Sequence, residues 1–330
     1  MAKVLIVGCG GIAGRHAGVV KGIDGIELVG VMDVDEERAK GFADKHGAAP
    51  YTDLEKALDD AKPSSVVICT PRTVREGPVG VVAERGVPAL IEKPPCDKMS
   101  TGRRVQEIIN KHGLVHSIGF MHRYNPAVDH VRERIEGQTV SLINITIRTP
   151  LAMSGLWKTK PAIYSVEKSG GIVGEVGIHY IDLVRLLSGS EVVEVSGLGT
   201  AQVLELDDAI TTYDTAAWTM GMENGVVANI AQSWASAGWA ATVEIMTDKG
   251  SACCGLMGGR SRAWGEIDGE KFEFEADNNA EHVALHAAFL KAVETGDMTK
   301  VRSPFADALA TFEAAAKVNE CLYEATAELG

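Results

Sequence analysis

The stretch Lys3-Val4-Leu5-Ile6-Val7-Gly8-Cys9-Gly10-Gly11-Ile12-Ala13-Gly14 decides the fold class. Residues 3–7 form a nearly unbroken apolar run, as a strand buried on both faces requires. The glycines that follow read Gly8-x-Gly10-x-x-Ala13, the dinucleotide fingerprint, between that strand and a helix-forming segment reaching Gly22. Gly8 permits a tight turn, Gly10 lets a pyrophosphate approach the backbone, and Ala13 allows close helix–strand packing. The helix start, with Gly11 and Ile12, then presents its N–H groups to the anion. A tight βα turn in another nucleotide fold would use similar glycines, but Asp33 ends the next strand about twenty residues on, where a carboxylate accepts ribose hydroxyls. Asp33 also repels a 2′-phosphate, and the nearby cation Arg38 lies among Asp35, Glu36 and Glu37. The expected cofactor is therefore NAD, preferred over NADP.

Outward from this stretch, apolar runs at 27–33, 65–71, 88–95 and 115–120 predict further strands, separated by helical patterns. Acids at Asp35, Glu36 and Glu37 open one helix, the favourable end of its dipole. Strands alternating with helices predict a Rossmann-type, doubly wound parallel sheet over residues 1–122. After His122-Arg123-Tyr124-Asn125-Pro126 the pattern changes. A short helix leads to residues 140–148, which alternate with period two. Extended runs follow at 192–203, 211–222, 226–234, 241–247, 251–254 and 272–275, with a tight-turn signal at Glu223-Asn224-Gly225. These predict a second domain, 123–330, of α+β type with a large open, mostly antiparallel sheet, closed by helices at 280–295 and 304–327.

The 330 residues exceed one ordinary core, in keeping with two domains. A net charge of −13 argues against nucleic acid or an anionic membrane as partner. No apolar run approaches the roughly 18–20 residues of a membrane span, and Met1-Ala2-Lys3 leads directly into a strand, so a cytoplasmic protein is expected. The six cysteines show no Cys-x-x-Cys pairing and no zinc-finger spacing to histidine, so buried thiols and no metal are expected.

Two further stretches carry candidate chemistry. Thr70-Pro71 and Glu92-Lys93-Pro94 sit at the carboxyl ends of predicted parallel strands, the edge where ligands of doubly wound folds bind. An ammonium fixed there would stabilise developing alkoxide charge, although a lysine beside two prolines is also a common solvated loop residue. In the second domain, Gly170-Gly171-Ile172-Val173-Gly174-Glu175-Val176-Gly177-Ile178-His179-Tyr180-Ile181-Asp182 would place Glu175, His179 and Asp182 on one stripe if helical from Ile172. That stripe reads either as an acid/base site, with Asp182 orienting His179, or as a plain polar face. Its glycines disfavour a helix and imply close backbone approach, to a bound cofactor or substrate or to the first domain.

Together these motifs resemble the glucose–fructose oxidoreductase / inositol dehydrogenase / rhizopine-catabolism (Gfo/Idh/MocA) family, over essentially the whole chain and in the family's order. The resemblance implies an NAD(P)-dependent dehydrogenase acting on CH–OH groups of a sugar, inositol or related polyol bound between the two domains. It implies Lys93 as the catalytic lysine, before a cis proline, and His179 as acid/base, with Glu175 where the family usually has Asp. Gly8, Gly10, Gly11, Ile12, Ala13, Asp33, Thr70, Pro71, Arg72, Glu92 and Lys93 are expected around the cofactor. Arg123, Tyr124, Trp157 and Tyr164 are expected near substrate, with Lys158 and Trp239 as further pocket candidates. Arg72 and Arg75 replace the Asn and His common after Thr-Pro; they either select an acidic substrate or pair with Glu76 and Glu84, the latter being favoured. A homodimer or homotetramer through the C-terminal sheet is also implied. The same scaffold serves NAD-using glycosidases of lyase type and non-catalytic sugar or NAD sensors, which form the alternative readings.

Overall fold

The fingerprint strand stands in the middle of the first sheet. In the computed structural model, which describes residues 2–256, 260–277 and 280–327, that sheet contains β1 (Ala2–Val7), β2 (Ile26–Met32), β3 (Ala49–Tyr51), β4 (Ser65–Ile68), β5 (Ala89–Ile91) and β6 (His116–Ile118). The order is β3-β2-β1-β4-β5-β6 and every pairing is parallel. The crossovers are α1 (Gly11–Gly22), α2 (Glu36–His46), α3 (Leu54–Ala61), α4 (Glu76–Glu84) and α5 (Met99–His112). Helices on a parallel sheet bury both of its faces, and Val4, Leu5, Ile6 and Val7 are accordingly at most 1% exposed. Asp35 and Asp53 cap α2 and α3 by accepting from Arg38 N and Lys56 N. The sequence pattern had only five strands here. β3 is three residues long, too short to show a period, and it docks where Gly30 leaves room: a Cβ there would lie 2.9 Å from the Tyr51 ring.

The remaining elements are α6 (Pro126–Arg134), β7 (Val140–Arg148), α7 (Val166–Ser169), α8 (Ile178–Ser188), β8 (Val192–Thr200), β9 (Thr215–Met222), β10 (Val227–Ser233), β11 (Ala240–Thr247), β12 (Gly250–Leu256), β13 (Arg260–Ile267), β14 (Glu270–Asp277), α9 (Ala280–Thr295) and α10 (Phe305–Ala327). The strands form one sheet, β14-β13-β12-β11-β7-β10-β9-β8, antiparallel except at β7–β10. Ile143, Ile145 and Ile147 of β7 are buried, while Asn144 and Thr146 point to the other face. On that second face Thr219, Asn229, Asn144 and Glu244 are hydrogen-bonded in a row across four strands. β13 was not anticipated. Its buried positions include only Ser261, Ala263 and Ile267, so its alternation carries little hydrophobic signal.

By contacts the chain divides into two compact units, Met1–Met121 with His282–Leu309, and His122–Glu281 with Ala310–Gly330. The sequence reading assigned everything after residue 122 to the second domain. Residues 282–309 group with the first unit because His286 bonds His16, Ser303 O accepts from Ile118 N, and Phe305 N donates to His116 Nε2. Among the described residues no helix is long and apolar enough to cross a membrane, and all six cysteines are free thiols.

Candidate functional site

In the first unit the fingerprint has the conformation its glycines suggest. Gly8 lies at φ +92°, and a Cβ there would come within 2.9 Å of Cys69 C, so the end of β4 as well as the turn demands glycine. At Gly10 a Cβ would meet nothing within 4 Å, and no side chain caps the start of α1. Ala13 is fully buried. Asp33, just beyond β2, accepts from Cys9 N (2.9 Å) and from Asp35 N (3.1 Å), tying the fingerprint loop to the strand. Arg38 Nη1 reaches it at 3.2 Å from the solvent side. Burial, reinforced by the Asp33 charge, pushes the Cys9 thiol up to about 12, so it is no thiolate nucleophile at neutral pH. Thr70 Oγ1 is buried without a hydrogen-bond partner among the described residues. Open ground at Gly10, an uncapped helix start, a carboxylate after β2 and an unsatisfied hydroxyl after β4 together fit a dinucleotide.

Lys93 follows β5, and the Lys93–Pro94 peptide is cis, as the resemblance implied. Its backbone N–H donates to Glu92 Oε2 at 3.1 Å. Glu92, predicted among the cofactor contacts, instead turns inward: it is 5% exposed and its Oε1 takes the Nε2–H of His16 at 2.9 Å. Burial alone would raise its carboxyl pKa, but the His16 hydrogen bond and the charges of His16, Lys93 and Arg75 outweigh that and hold it below the usual value. Arg75 corrects a second expectation. It does not pair with Glu76, which binds Arg104. The Arg75 guanidinium is 3% exposed and donates to the carbonyls of Thr70, Glu92 and Pro94, clipping the two loops together. Burial pushes its pKa down to about 10, leaving it charged at neutral pH. Pro71 is exposed and Arg72 and Lys93 are half-buried at the same strand edge.

In the second unit, the glycine-rich stretch departs from the regular helix expected of it. Residues Val173–Gly177 form a π-helical turn that runs into α8. A π turn carries an extra residue, so Glu175, His179 and Asp182 lose the α-helical phase of a single stripe. Within that turn Glu175 alone is not buried. Two of the glycines fit against residues of their own unit: a Cβ on Gly171 would lie 2.5 Å from Thr212 Oγ1, and one on Gly177 would lie 3.0 Å from Gln232 and Trp218. Ile172 N donates to Thr212 Oγ1, and Gln232 Nε2 donates to Ile172 O, fixing the turn on the sheet.

His179 is 8% exposed, and its ring meets that of His122 edge-on at 5.5 Å. His122 Nδ1–H donates to Glu281 Oε2 at 2.8 Å, and Asn125 Nδ2 donates to the same oxygen at 2.9 Å. Asp182, expected to orient His179, is held by Arg123 Nε and Nη2, both at 2.7 Å, and accepts from Thr311 Oγ1 at 2.8 Å. Arg123, expected near substrate, is correspondingly 5% exposed and turned to Asp182. Tyr124 (3% exposed) and Tyr164 (fully buried, its hydroxyl donating to Leu151 O) are likewise core residues. Trp157 is half-buried under the Lys158 ammonium at 5.0 Å, and Trp239 is 44% exposed. Sequence reading missed Arg75's clip, His16 and His286, and the His122–Glu281 pair. His16, one turn beyond Ala13 on the buried face of α1, was the visible signal among these.

The comparisons with known proteins agree with this fold. Residues 2–120 match the family model described as the oxidoreductase family, NAD-binding Rossmann fold, and residues 131–253 match the GFO/IDH/MocA C-terminal domain. An uncharacterized oxidoreductase, YrbE, of Bacillus subtilis (strain 168) is 30% identical over 75% of this chain and 72% of its own. An inositol 2-dehydrogenase of Rhizobium meliloti (strain 1021) is also 30% identical, over 74% of this chain and 73% of its own. The UDP-N-acetylglucosamine 3-dehydrogenase structure from Acidithiobacillus ferrooxidans shares the fold at a TM-score of 0.80, with 23% identity and 97% of each chain covered. The chain belongs to the Gfo/Idh/MocA family of NAD-binding oxidoreductases.

Proposed function

We propose that this protein is a dehydrogenase that transfers a hydride between NAD and a secondary hydroxyl or ketone of a sugar, inositol or related polyol. The observation that carries the reading is the lysine at the carboxyl edge of the parallel sheet, with Glu92 on its backbone N–H and Arg75 on the neighbouring carbonyls. Relatives named as inositol and sugar dehydrogenases support the substrate class and favour net oxidation or reduction over glycosidase or sensor roles. NAD, when bound, supplies the hydride acceptor. The Lys93 ammonium stabilises the developing alkoxide, His179 takes or returns the hydroxyl proton, and Glu175 orients the substrate. The Asp33 carboxylate supports NAD over NADP, because its charge opposes a 2′-phosphate. The polar face of the second sheet, with its Asn144–Asn229 row, is the surface proposed for a homodimer or homotetramer. Six free thiols suit a reducing compartment such as the cytoplasm.

The test is a panel of inositols, aldoses, amino sugars and sugar phosphates, run with NAD and NADP in parallel and read as reduced cofactor. Lys93→Ala should abolish turnover on the active substrate while NAD binding stays measurable. A variant with near-normal kcat would sink the assignment of Lys93, and binding of the panel without any cofactor reduction would point to a sensor.

A further inference from the structure

Beneath Lys93 lies a buried chain of side chains that the proposed reaction does not itself use. His286 Nε2, on α9, lies 2.8 Å from His16 Nδ1 on α1, and His16 Nε2 lies 2.9 Å from Glu92 Oε1. Glu92 Oε2 in turn accepts the backbone N–H of Lys93. His16 is fully buried, His286 is 1% exposed and Glu92 is 5% exposed, so water does not compete for these bonds. There is no slack around the carboxylate: a Cβ on Gly119 would lie 2.6 Å from Glu92 Oε1. The charged and titratable groups around it are Arg75 before α4, Cys69 after β4, Lys93 itself, His16 on α1, and His282 and His286 on α9. The His282 ring lies 6.3 Å from that of His16.

An apolar packing role would not need two histidines aligned nitrogen to nitrogen. We propose that His16 and His286 are positioning residues for the catalytic lysine: they hold the Glu92 carboxylate in the one place where it fixes the Lys93 backbone. This inference rests on the reading of Lys93 as the catalytic lysine. With a carboxylate as acceptor, His16 Nε2 carries a proton and donates. His16 Nδ1 and His286 Nε2 share a second proton, so either ring supplies it and the chain stays fully bonded. Burial, with the charges of His16 and His282, drives the His286 pKa well below its ordinary value, which suits a neutral terminal partner. Because α1 also carries the end of the fingerprint, two consecutive hydrogen bonds tie the cofactor helix to the lysine loop, and a third ties α9 to the cofactor helix.

The test compares His16→Phe, His286→Leu and His286→Gln in the full-length protein, with thermal unfolding as a check on folding. Glutamine can still meet His16 Nδ1; leucine cannot. On the substrate found by the panel, His16→Phe and His286→Leu should lower kcat by about 10–100-fold, the scale of a displaced reacting group, with the Kd for NAD little changed. His286→Gln should recover most of the loss. Folded variants with normal kcat, parallel loss of NAD binding and kcat, or a glutamine variant no better than leucine would each overturn the proposal. A second readout needs no substrate: the rate of reductive methylation of Lys93, measured by peptide mass spectrometry against exposed Lys111, should change severalfold in His16→Phe and His286→Leu only. If the wild-type protein turns over nothing, the dehydrogenase reading fails, while this rate still decides whether the chain positions Lys93; an unchanged rate refutes it.

Discussion

Replacing Arg75 by methionine should unlock the edge of the first sheet. The guanidinium is almost fully buried and donates to three carbonyls, on Thr70, Glu92 and Pro94. Methionine keeps the bulk and removes every donor. Each buried carbonyl left without its partner costs about 1–3 kcal/mol, giving a gross loss of roughly 3–9 kcal/mol. Relief from burying a guanidinium, several kcal/mol in its own right, offsets part of it. A net destabilisation of about 3 kcal/mol follows, which in a unit of this size lowers Tm by about 6–12 °C. Two of these carbonyls, on Glu92 and Pro94, flank Lys93, so kcat should fall by about 100-fold, as for a reacting group moved by an ångström. Arg75→Lys keeps the charge but cannot reach three carbonyls with a planar fork, and should lie between the two. Differential scanning calorimetry and steady-state kinetics on the purified proteins measure both quantities. An Arg75→Met protein with a Tm within about 2 °C of wild type and unchanged kcat would refute the clip.

Gly8→Ala should cost about 1–3 kcal/mol for its left-handed backbone alone, and more because of the contact with Cys69 and Thr70; denaturant titration with and without NAD reads it. Asp33→Asn keeps an oxygen for the Cys9 N–H but drops the charge, so the NADP/NAD ratio of kcat/KM should rise by at least about tenfold, or 1.4 kcal/mol; an unchanged ratio would remove Asp33 as the discriminator. His179→Ala should lower kcat by about 10²–10⁴-fold, the usual worth of a general acid/base. Acid should destabilise the first unit in two stages. His286 is held below its ordinary 6.5, so its neutral form stabilises the fold fully above that value, and the contribution declines as pH falls below it. Glu92 is held below 4.5, so its contribution is complete above that value and is lost as pH falls through its folded pKa. A Tm-versus-pH curve should begin to drop near 6.5; because burial also holds His116 and His46 below that value, His286→Gln should make the first descent shallower without removing it, and identical curves would contradict the assignment.

Much of this was legible along the chain because its signals are local. The buried run of β1, the fingerprint spacing and the proline-stopped strands need only near neighbours in sequence, and they announced the parallel sheet and the carboxyl edge at which Lys93 lies. The long alternating runs likewise announced a mostly antiparallel second sheet. The elements that escaped are those with weak local contrast: β3, three residues long, and β13, whose inward face carries serine and alanine.

What sequence alone determined, then, is the frame: which segments become strands and helices, where the dinucleotide belongs, and which lysine and histidine are candidates for chemistry. Tertiary structure decided what each polar residue is for. Arg75 became a clip on carbonyls, Glu92 a support for the Lys93 backbone, Asp182 the partner of Arg123, and the glycines around Glu175 a fit to Thr212, Gln232 and Trp218. Most of the partners are fixed by the fold and not by spacing: Arg75 and the Glu92 carbonyl are 17 positions apart, Arg123 and Asp182 are 59, and His16 and His286 are 270. Periodicity and spacing report only which face a residue takes. A hydrogen bond is specific to one atom pair, and the pair exists only once the chain has folded.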